Sequence, residues 1–140
     1  TSIVHGDYRL DNMILKNNKV IGILDWELST LGHPIADFSY HCLSWRTQEA
    51  FWDQTKLKEL GIPSEREYME MYCENSGKDL SKNWEFYMAF NMFKIAGILQ
   101  GILGRVRDGT AASKHAEERG KLVYPLSAAA WSTIEENFLK

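Results

Sequence analysis

The spacing of apolar residues changes near Pro34, and this change limits the folds open to the chain. Before Pro34, apolar residues stand in short runs separated by polar loops: Ile3-Val4, Met13-Ile14-Leu15 and Val20 to Leu24. The Asn17-Asn18 pair lies between the second and third runs, and asparagine accepts the positive φ that tight turns require. Two short apolar runs around such a turn are typical of a β-hairpin. The segment before Pro34 is therefore predicted to form short strands and loops.

Beyond Pro34, the apolar residues recur at the spacing of helices. The first stripe comprises Ile35, Phe38, Cys42 and Trp45. Ser64 and Glu67 form a capping-box pattern, which predicts a helix that begins there and ends near Gly77. Pro125 should start, kink or split the last helix, because proline is excluded from helix interiors.

A long helix is predicted to begin at Ser81, a suitable N-cap residue, and to end at Asp108-Gly109. Its aromatic and methionine side chains are Trp84, Tyr87, Met88, Phe90 and Phe93. These side chains could line an acyl pocket, although packing in the core is the use we favour. The apolar stretch from Phe86 to Val106 is interrupted by polar residues, so we expect a buried helix and no membrane span.

These patterns predict an α+β fold in one 140-residue domain, with a small β-hairpin platform over residues 1–33 and a helical bundle over residues 34–140. The net charge of -3 argues against a general nucleic-acid-binding protein. Cys42 and Cys73 stand among apolar and aromatic neighbours and are predicted to be buried free thiols. Two such cysteines do not form a disulfide framework, so a reducing, intracellular compartment is expected.

Polar side chains of the platform are spaced so that the hairpin should bring them together. Asp7 precedes Asn12 by five positions. The hairpin reverses the direction of the chain, so Asp25 should lie beside both residues. A carboxylate and an amide oxygen are suitable protein ligands for Mg²⁺ when phosphates complete its coordination. The second carboxylate can then accept a proton from an attacking hydroxyl, and Arg9 can neutralise charge on a transferring phosphoryl group. The arrangement indicates phosphoryl transfer.

The segment from His5 to Asn12 resembles the HGDxxxxN catalytic loop of the aminoglycoside phosphotransferase and choline kinase-like family. It also parallels the HRDxxxxN loop of protein kinases. The run from Asp25 to Gly32 is similar to the phosphotransferase domain that is fused ahead of acyl-CoA dehydrogenase modules, in acyl-CoA dehydrogenase family members 10 and 11. The resemblance is specific up to about Tyr40 and general beyond it.

This resemblance implies a protein-kinase-like fold, of which the chain would supply the α-rich C-terminal lobe. It also implies ATP and Mg²⁺ as cofactors. Asp7 resembles the catalytic base. Asn12 and Asp25 resemble the ligands of the magnesium ion through which the family binds the phosphates of the nucleotide. Arg9 resembles a γ-phosphate contact, which would serve both catalysis and cofactor binding.

Two further residues gain supporting roles from the resemblance. His5 would brace the catalytic loop, and Asp37 resembles the buried aspartate that hydrogen-bonds the backbone of that loop. The family's N-terminal lobe carries the phosphate-covering loop and an ATP-contacting lysine, and this chain has no GxGxxG and too few residues before His5 to build it. We therefore expect the catalytic lobe of a longer protein, inactive alone, with the missing N-terminal lobe and a fused acyl-CoA dehydrogenase module as partners.

Two other classes of function stay open at this point. A catalytically silent module that binds a nucleotide or metabolite for regulation is the first, although the intact catalytic-loop residues argue against it. The second is a helical metal-dependent phosphohydrolase, because His33, Asp37 and His41 are spaced to share one helix face. His33 precedes Pro34 and should lie outside the helix, so an ordinary loop histidine is favoured.

The acceptor is a hydroxyl group of a small molecule in this family. The fused relatives point to a hydroxyacyl-CoA, while the wider family includes enzymes for aminoglycosides, choline and sugars. Asp11 is expected on the surface, and Glu27 could face either the metal site or solvent. The compartment would be cytoplasmic, or mitochondrial or peroxisomal in a eukaryote.

Overall fold

The computed structural model describes residues 1–47, 54–80 and 82–140. Four strands lie in the first 33 residues: β1 (Ser2–Val4), β2 (Met13–Lys16), β3 (Lys19–Ile23) and β4 (Thr30–Gly32). The α-helices in the described residues are α1 (Ile35–His41), α2 (Leu43–Arg46), α3 (Gln54–Glu59), α4 (Glu65–Ser76), α5 (Trp84–Arg107), α6 (Ala116–Lys121) and α7 (Val123–Phe138). Short 3-10 turns follow β1 and β3, at Leu10–Asn12 and Trp26–Leu28.

Strands β2 and β3 form the predicted hairpin. Asn17 and Asn18 both have positive φ, at 50° and 58°. The pairing is interrupted by a bulge, because Ile14 pairs with Gly22 whereas the next residue, Leu15, pairs with Val20. The extra residue on β3 moves the later pairs by one position, so the far end of the hairpin depends on the bulge.

Strand β1 pairs with β4 instead of with the hairpin. The register is antiparallel, with Ser2 opposite Gly32 and Val4 opposite Thr30. Strand β4 was not predicted from its sequence. The platform contains two small two-stranded sheets where one hairpin was expected. This pairing places the start of the chain beside the entry to α1.

The hydrophobic core lies where α5 packs against α1, α6 and α7. Its buried members include Ile35, Phe38, Cys42, Leu43, Leu80, Trp84, Met88, Met92, Ala96, Val123, Leu126 and Ala130. The predicted apolar stripe of α1 is therefore confirmed. Gly120 allows the close approach of α6 to α5, since a Cβ at this position would lie 2.4 Å from Leu103 Cδ2.

The aromatic residues of α5 divide between two environments. Trp84 and Met88 are buried, as predicted for core packing. Phe86, Phe90 and Phe93 are about half exposed, at 49%, 49% and 47%, so the prediction that Phe90 and Phe93 pack in the core is wrong. They lie on the face of α5 opposite to Met88 and Met92.

Helix α5 is long and apolar enough to cross a membrane by length and composition alone, and it is the one such helix in the described residues. The expectation that the stretch from Phe86 to Val106 is too polar to span a membrane is thus wrong by length and composition. The helix packs against three others through its buried face. The expectation of a buried helix holds for that face only.

The predicted helix ends are mostly found. Ser64 and Glu67 make the reciprocal capping box at the start of α4, and Gly77 ends that helix with a φ of 66°. Ser81, the predicted N-cap of the long helix, lies outside the described residues, and Asn83 precedes the first residue of α5. Pro125 lies in the first turn of α7, where proline is tolerated.

The two cysteines are free. Cys42 is fully buried, and burial raises the pKa of its thiol far above the ordinary value. Cys73 is only partly buried, so the prediction of a buried thiol is confirmed for Cys42 and too strong for Cys73.

Candidate active site

The loop from His5 to Asn12 is held to the helical layer through Asp37 of α1. The Asp37 carboxylate accepts the backbone N–H of His5 at 2.5 Å and the backbone N–H of Gly6 at 2.8 Å, one on each oxygen. Bonds from backbone N–H groups to a carboxylate are among the stronger hydrogen bonds in proteins. Asp37 therefore fixes the residues that immediately precede Asp7.

His5 braces the same loop from the other side. Its ring is buried, and its Nδ1 accepts the backbone N–H of Asp7 at 3.2 Å. With Nδ1 acting as an acceptor, the proton is on Nε2, which donates to the Leu24 carbonyl at 2.7 Å. His5 thus connects the start of the catalytic loop to the end of the hairpin.

The position of Gly6 does not tolerate a residue with a side chain. Its φ is 86°, and a Cβ placed on it would lie 2.6 Å from the carbonyl oxygen of Leu28. Both the backbone conformation and the close approach of the 3-10 turn after β3 require glycine here.

The carboxylate of Asp7 has a donor on each oxygen. Tyr40 donates its hydroxyl to Oδ1 at 2.8 Å, and Asn12 donates its amide Nδ2 to Oδ2 at 2.9 Å. Arg9 Nε lies 3.4 Å from Oδ2. Partial burial raises the pKa of Asp7, but the hydrogen bonds from Tyr40 and Asn12, with the charges of Arg9 and Lys94, outweigh it and lower the pKa below its ordinary value. Asp7 is ionised at neutral pH, as a proton acceptor must be.

Asn12 is oriented by Asp7. Its Nδ2 donates to both the carbonyl and the carboxylate of Asp7, each at 2.9 Å, which uses both amide hydrogens. The remaining polar atom is Oδ1, an oxygen of the kind that Mg²⁺ prefers. Asn12 is buried, so its amide oxygen is held in one direction and is not part of a mobile surface group.

Asp25 follows the hairpin and lies beside this loop. The backbone N–H of Leu24 donates to the Asn12 carbonyl at 2.8 Å, which brings the next residue, Asp25, close to Asn12. Asp25 has a φ of 64°, a conformation that aspartate adopts more readily than most residues. Its exposed side chain makes no hydrogen bond or ion pair within the described residues. The donor set of one carboxylate and one amide oxygen suits Mg²⁺.

The remaining charged residues of the platform are at its surface. Arg9 is 53% exposed and lies 3.7 Å from Asp11, whose side chain is 80% exposed. Asp11 is thus on the surface, as expected. Glu27 is also exposed, on the 3-10 turn that follows Asp25. Asp25 is exposed as well, so the exposure of Glu27 is compatible with both orientations left open for it.

Two residues that contact the catalytic loop were missed from the sequence. Tyr40 lies on α1, three residues after Asp37, and Lys94 reaches the loop from the middle of α5. Lys94 Nζ donates to the carbonyl of Gly6 and lies 4.7 Å from the centre of the Tyr40 ring. A lysine within an apolar helical stretch was the available signal, because such a residue needs a partner.

The three residues of the hypothetical phosphohydrolase site are each engaged elsewhere. His33 stacks on Tyr87 at a ring separation of 5.6 Å, and the carboxylate of Asp37 binds the catalytic loop. His41 packs against the rings of Tyr8 and Tyr68, and its burial lowers the pKa of the imidazole. No group of three or more His, Cys, Asp or Glu residues suited to a metal ion occurs in the part of the chain that the structure describes.

Comparison with known proteins gives matches over the catalytic region and beyond. The model of the phosphotransferase enzyme family (APH) matches residues 1–72. Acyl-CoA dehydrogenase family member 10 of Mus musculus is 45% identical over 138 residues, and member 11 of Homo sapiens is 34% identical over 148 residues. These alignments cover 94% and 98% of this chain, but only 13% and 18% of the two relatives.

A solved structure has the same fold. It is a protein of Ralstonia eutropha JMP134, provisionally assigned to the aminoglycoside phosphotransferases, with a TM-score of 0.84 and 46% sequence identity. The match covers 96% of this chain and 43% of that protein. The helix-rich architecture with its small antiparallel hairpins is thus a kinase-like fold, as predicted.

Proposed function

Because this chain belongs to the phosphotransferase enzyme family, we propose that it forms the catalytic lobe of an ATP- and magnesium-dependent kinase for small molecules. The acceptor is a hydroxyl group. The observation that carries this proposal is the hydrogen bond between the Asp7 carboxylate and the Asn12 amide, beside which the hairpin places Asp25. Positioning and electrostatics provide most of the catalysis in phosphoryl transfer, and this cluster supplies both.

Each residue of the cluster has a distinct role in this proposal. Asp7 accepts the proton of the attacking hydroxyl and holds that oxygen in line with the phosphoryl group. Asn12 Oδ1 and the Asp25 carboxylate hold Mg²⁺, which when bound neutralises the developing charge on the phosphate oxygens. Arg9 is exposed enough to swing toward the γ-phosphate, leaving its long contact with Asp7.

A hydroxyacyl-CoA is the acceptor that we favour. The mouse and human relatives are named as acyl-CoA dehydrogenases, which links this lobe to acyl-CoA chemistry. Phe86, Phe90 and Phe93 present half-exposed rings on α5, the helix whose Lys94 reaches the catalytic loop. Exposed apolar rings on the helix that reaches the catalytic loop suit an acyl chain that carries a hydroxyl group.

The longer protein is part of the proposal. The chain spans 13% and 18% of the curated relatives and 43% of the solved Ralstonia protein, so these proteins contain much that this chain does not. An additional lobe would hold the adenine and phosphates of ATP, and an acyl-CoA dehydrogenase module could be fused to it. The 140-residue chain alone would then be inactive.

A catalytically silent regulatory module is the competing proposal. The retention of Asp7, Asn12 and Asp25 with their mutual contacts favours an active enzyme, because a silent site has no need for a base held in its ionised form.

Asp7→Asn in the full-length protein tests the function. Transfer of the γ-phosphoryl group of ATP would be measured with hydroxyacyl-CoA, choline and an aminoglycoside as acceptors, with Mg²⁺ and with EDTA. Loss of the positioned base should lower turnover by about 10²-fold or more. Asp108→Asn, an exposed carboxylate at the end of α5, is the matched control and should stay within about twofold of wild type, as ordinary surface substitutions do. Near wild-type turnover by Asp7→Asn, or transfer that persists in EDTA, would contradict the proposal.

A further inference from the structure

Lys94 is an unusual residue for its position in the fold. It lies on α5 among apolar neighbours and is partly buried. Burial of an ammonium group is unfavourable unless it is paired. Its partners are the carbonyl of Gly6, to which Nζ donates, and the ring of Tyr40, whose centre lies 4.7 Å away. Both partners adjoin Asp7, one in the chain and the other through a hydrogen bond.

Tyr40 connects this ammonium to the carboxylate. Its hydroxyl donates to Asp7 Oδ1 at 2.8 Å, while its ring lies under Lys94. Burial and the neighbouring carboxylate raise the pKa of the Tyr40 phenol well above its ordinary value. The hydroxyl therefore keeps its proton and remains a donor to Asp7 at every pH at which an enzyme would work.

Hydrogen bonds hold α1 and α5 together next to Tyr40 and Lys94. Asn91 is buried, and its amide donates to the Ala36 carbonyl at 3.0 Å and to Ser39 Oγ at 2.8 Å. Ser39 immediately precedes Tyr40, and Asn91 precedes Lys94 by one helical turn. The helical core thus determines where the Tyr40 hydroxyl and the Lys94 ammonium lie.

We propose that Tyr40 and Lys94 are positioning residues for Asp7, which hold its backbone and carboxylate in the geometry that an acceptor hydroxyl needs. This inference rests on the proposed kinase function. Tyr40 fixes Oδ1, and Asn12 fixes Oδ2, so the carboxylate cannot rotate about its last torsion. Lys94 holds the Gly6 carbonyl, so the residue before Asp7 cannot move away from α5.

Tyr40→Phe in the full-length protein is the main test. It removes the hydroxyl and keeps the ring that Lys94 covers. With MgATP and hydroxyacyl-CoA as substrates, kcat should fall by about 10- to 100-fold, the range expected when a reacting group is displaced. The KM for ATP should stay unchanged, because Tyr40 contacts the base and not the nucleotide in the proposed site. Tyr124→Phe, which is 72% exposed on α7, is the matched control.

Lys94 is tested by two substitutions. Lys94→Met removes the charge and the donor, and it should lower kcat while the KM for ATP stays unchanged. Lys94→Arg retains both and should have a kcat much closer to wild type than Lys94→Met. A role in packing alone would not predict this difference between the two variants. Lys114→Met removes an exposed lysine outside the site and serves as the control. Thermal unfolding of each variant verifies that the fold is retained.

The outcomes separate this inference from the proposed function. A wild-type protein with no magnesium-dependent transfer to any acceptor would overturn both. An active wild type with a Tyr40→Phe variant equal to Tyr124→Phe in kcat would overturn the positioning role alone. If Tyr40→Phe does not fold, the Lys94 pair decides, and equal loss in Lys94→Met and Lys94→Arg would overturn the proposal.

Discussion

The platform of residues 1–33 and the helical part that follows it are stabilised in different ways. Within residues 1–33, all of which the structure describes, the buried side chains are Val4, His5 and Asn12, and two of these are polar. The helical part has a contiguous apolar core around Met88 and Met92. Apolar side chains of the platform point outward instead, with Ile3 68% and Leu31 75% exposed.

This difference shows what fixes the geometry of the candidate site. The platform has little apolar burial of its own, so hydrogen bonds from the helices determine where its loop lies. Asp37 holds the backbone at His5 and Gly6, and Lys94 holds the Gly6 carbonyl. A site built in this way can lose its geometry while the helical core stays folded.

Truncation of apolar side chains should give the largest contrast between the two regions. Met88 is fully buried in the helical core, and Met88→Ala should lower the free energy of unfolding by about 2–5 kcal/mol through lost contacts and a cavity. Leu31→Ala should change it by no more than about 0.5 kcal/mol, as at other exposed positions. Urea unfolding of the 140-residue chain measures both. Equal losses would mean that the platform has a core of its own.

Asp37→Asn should have an intermediate effect on stability and a larger one on activity. Asparagine provides one acceptor oxygen in place of two, so one backbone N–H, of His5 or of Gly6, loses its partner. The expected decrease in the free energy of unfolding is about 1–3 kcal/mol. Catalytic turnover in the full-length protein should fall by about 10²-fold, since the loop that carries Asp7 is released.

Asp108→Asn is the matched control for this substitution, because its carboxylate is exposed at the end of α5. It should change neither the unfolding transition nor the turnover. A fall in stability for Asp37→Asn with unchanged turnover would show that the helices do not set the geometry of the catalytic loop.

Turns and helix ends were predicted correctly where they depend on a few residues that are close together in the sequence. The Asn17-Asn18 turn, the capping box at Ser64 and the end of α4 at Gly77 each depend on residues close together in the chain. The grouping of Asp7 with Asn12 in the catalytic loop also depends on residues that are close together in the sequence. Resemblance to a known family supplied the expectation of a contact between Asp37 and the loop backbone.

Long-range contacts were the part that the sequence could not supply. Tyr40 meets Asp7 across 33 positions, and Lys94 meets Gly6 across 88 positions. No periodicity within one helix indicates which loop a side chain will reach. The pairing of β1 with β4 and the outward-facing rings of Phe90 and Phe93 were missed for the same reason, because each depends on how distant elements pack.

Substitutions in the hairpin turn should have the smallest effect on the free energy of unfolding. They also test whether the platform unfolds independently of the helical core. Asn18 has a φ of 58°, so Asn18→Gly relieves a conformation that is unfavourable for most side chains, while it adds freedom to the unfolded chain. These effects oppose each other, and the net change in the free energy of unfolding should be within about 0.5 kcal/mol. Asn18→Val at the same position should destabilise by about 1–2 kcal/mol, since a β-branched residue is strained at positive φ. Urea unfolding of the chain compares the two, and hydrogen exchange of the β2 and β3 amides locates the change. Faster exchange in α5 would mean that the turn is coupled to the helical core, and the two regions would then be one cooperative unit.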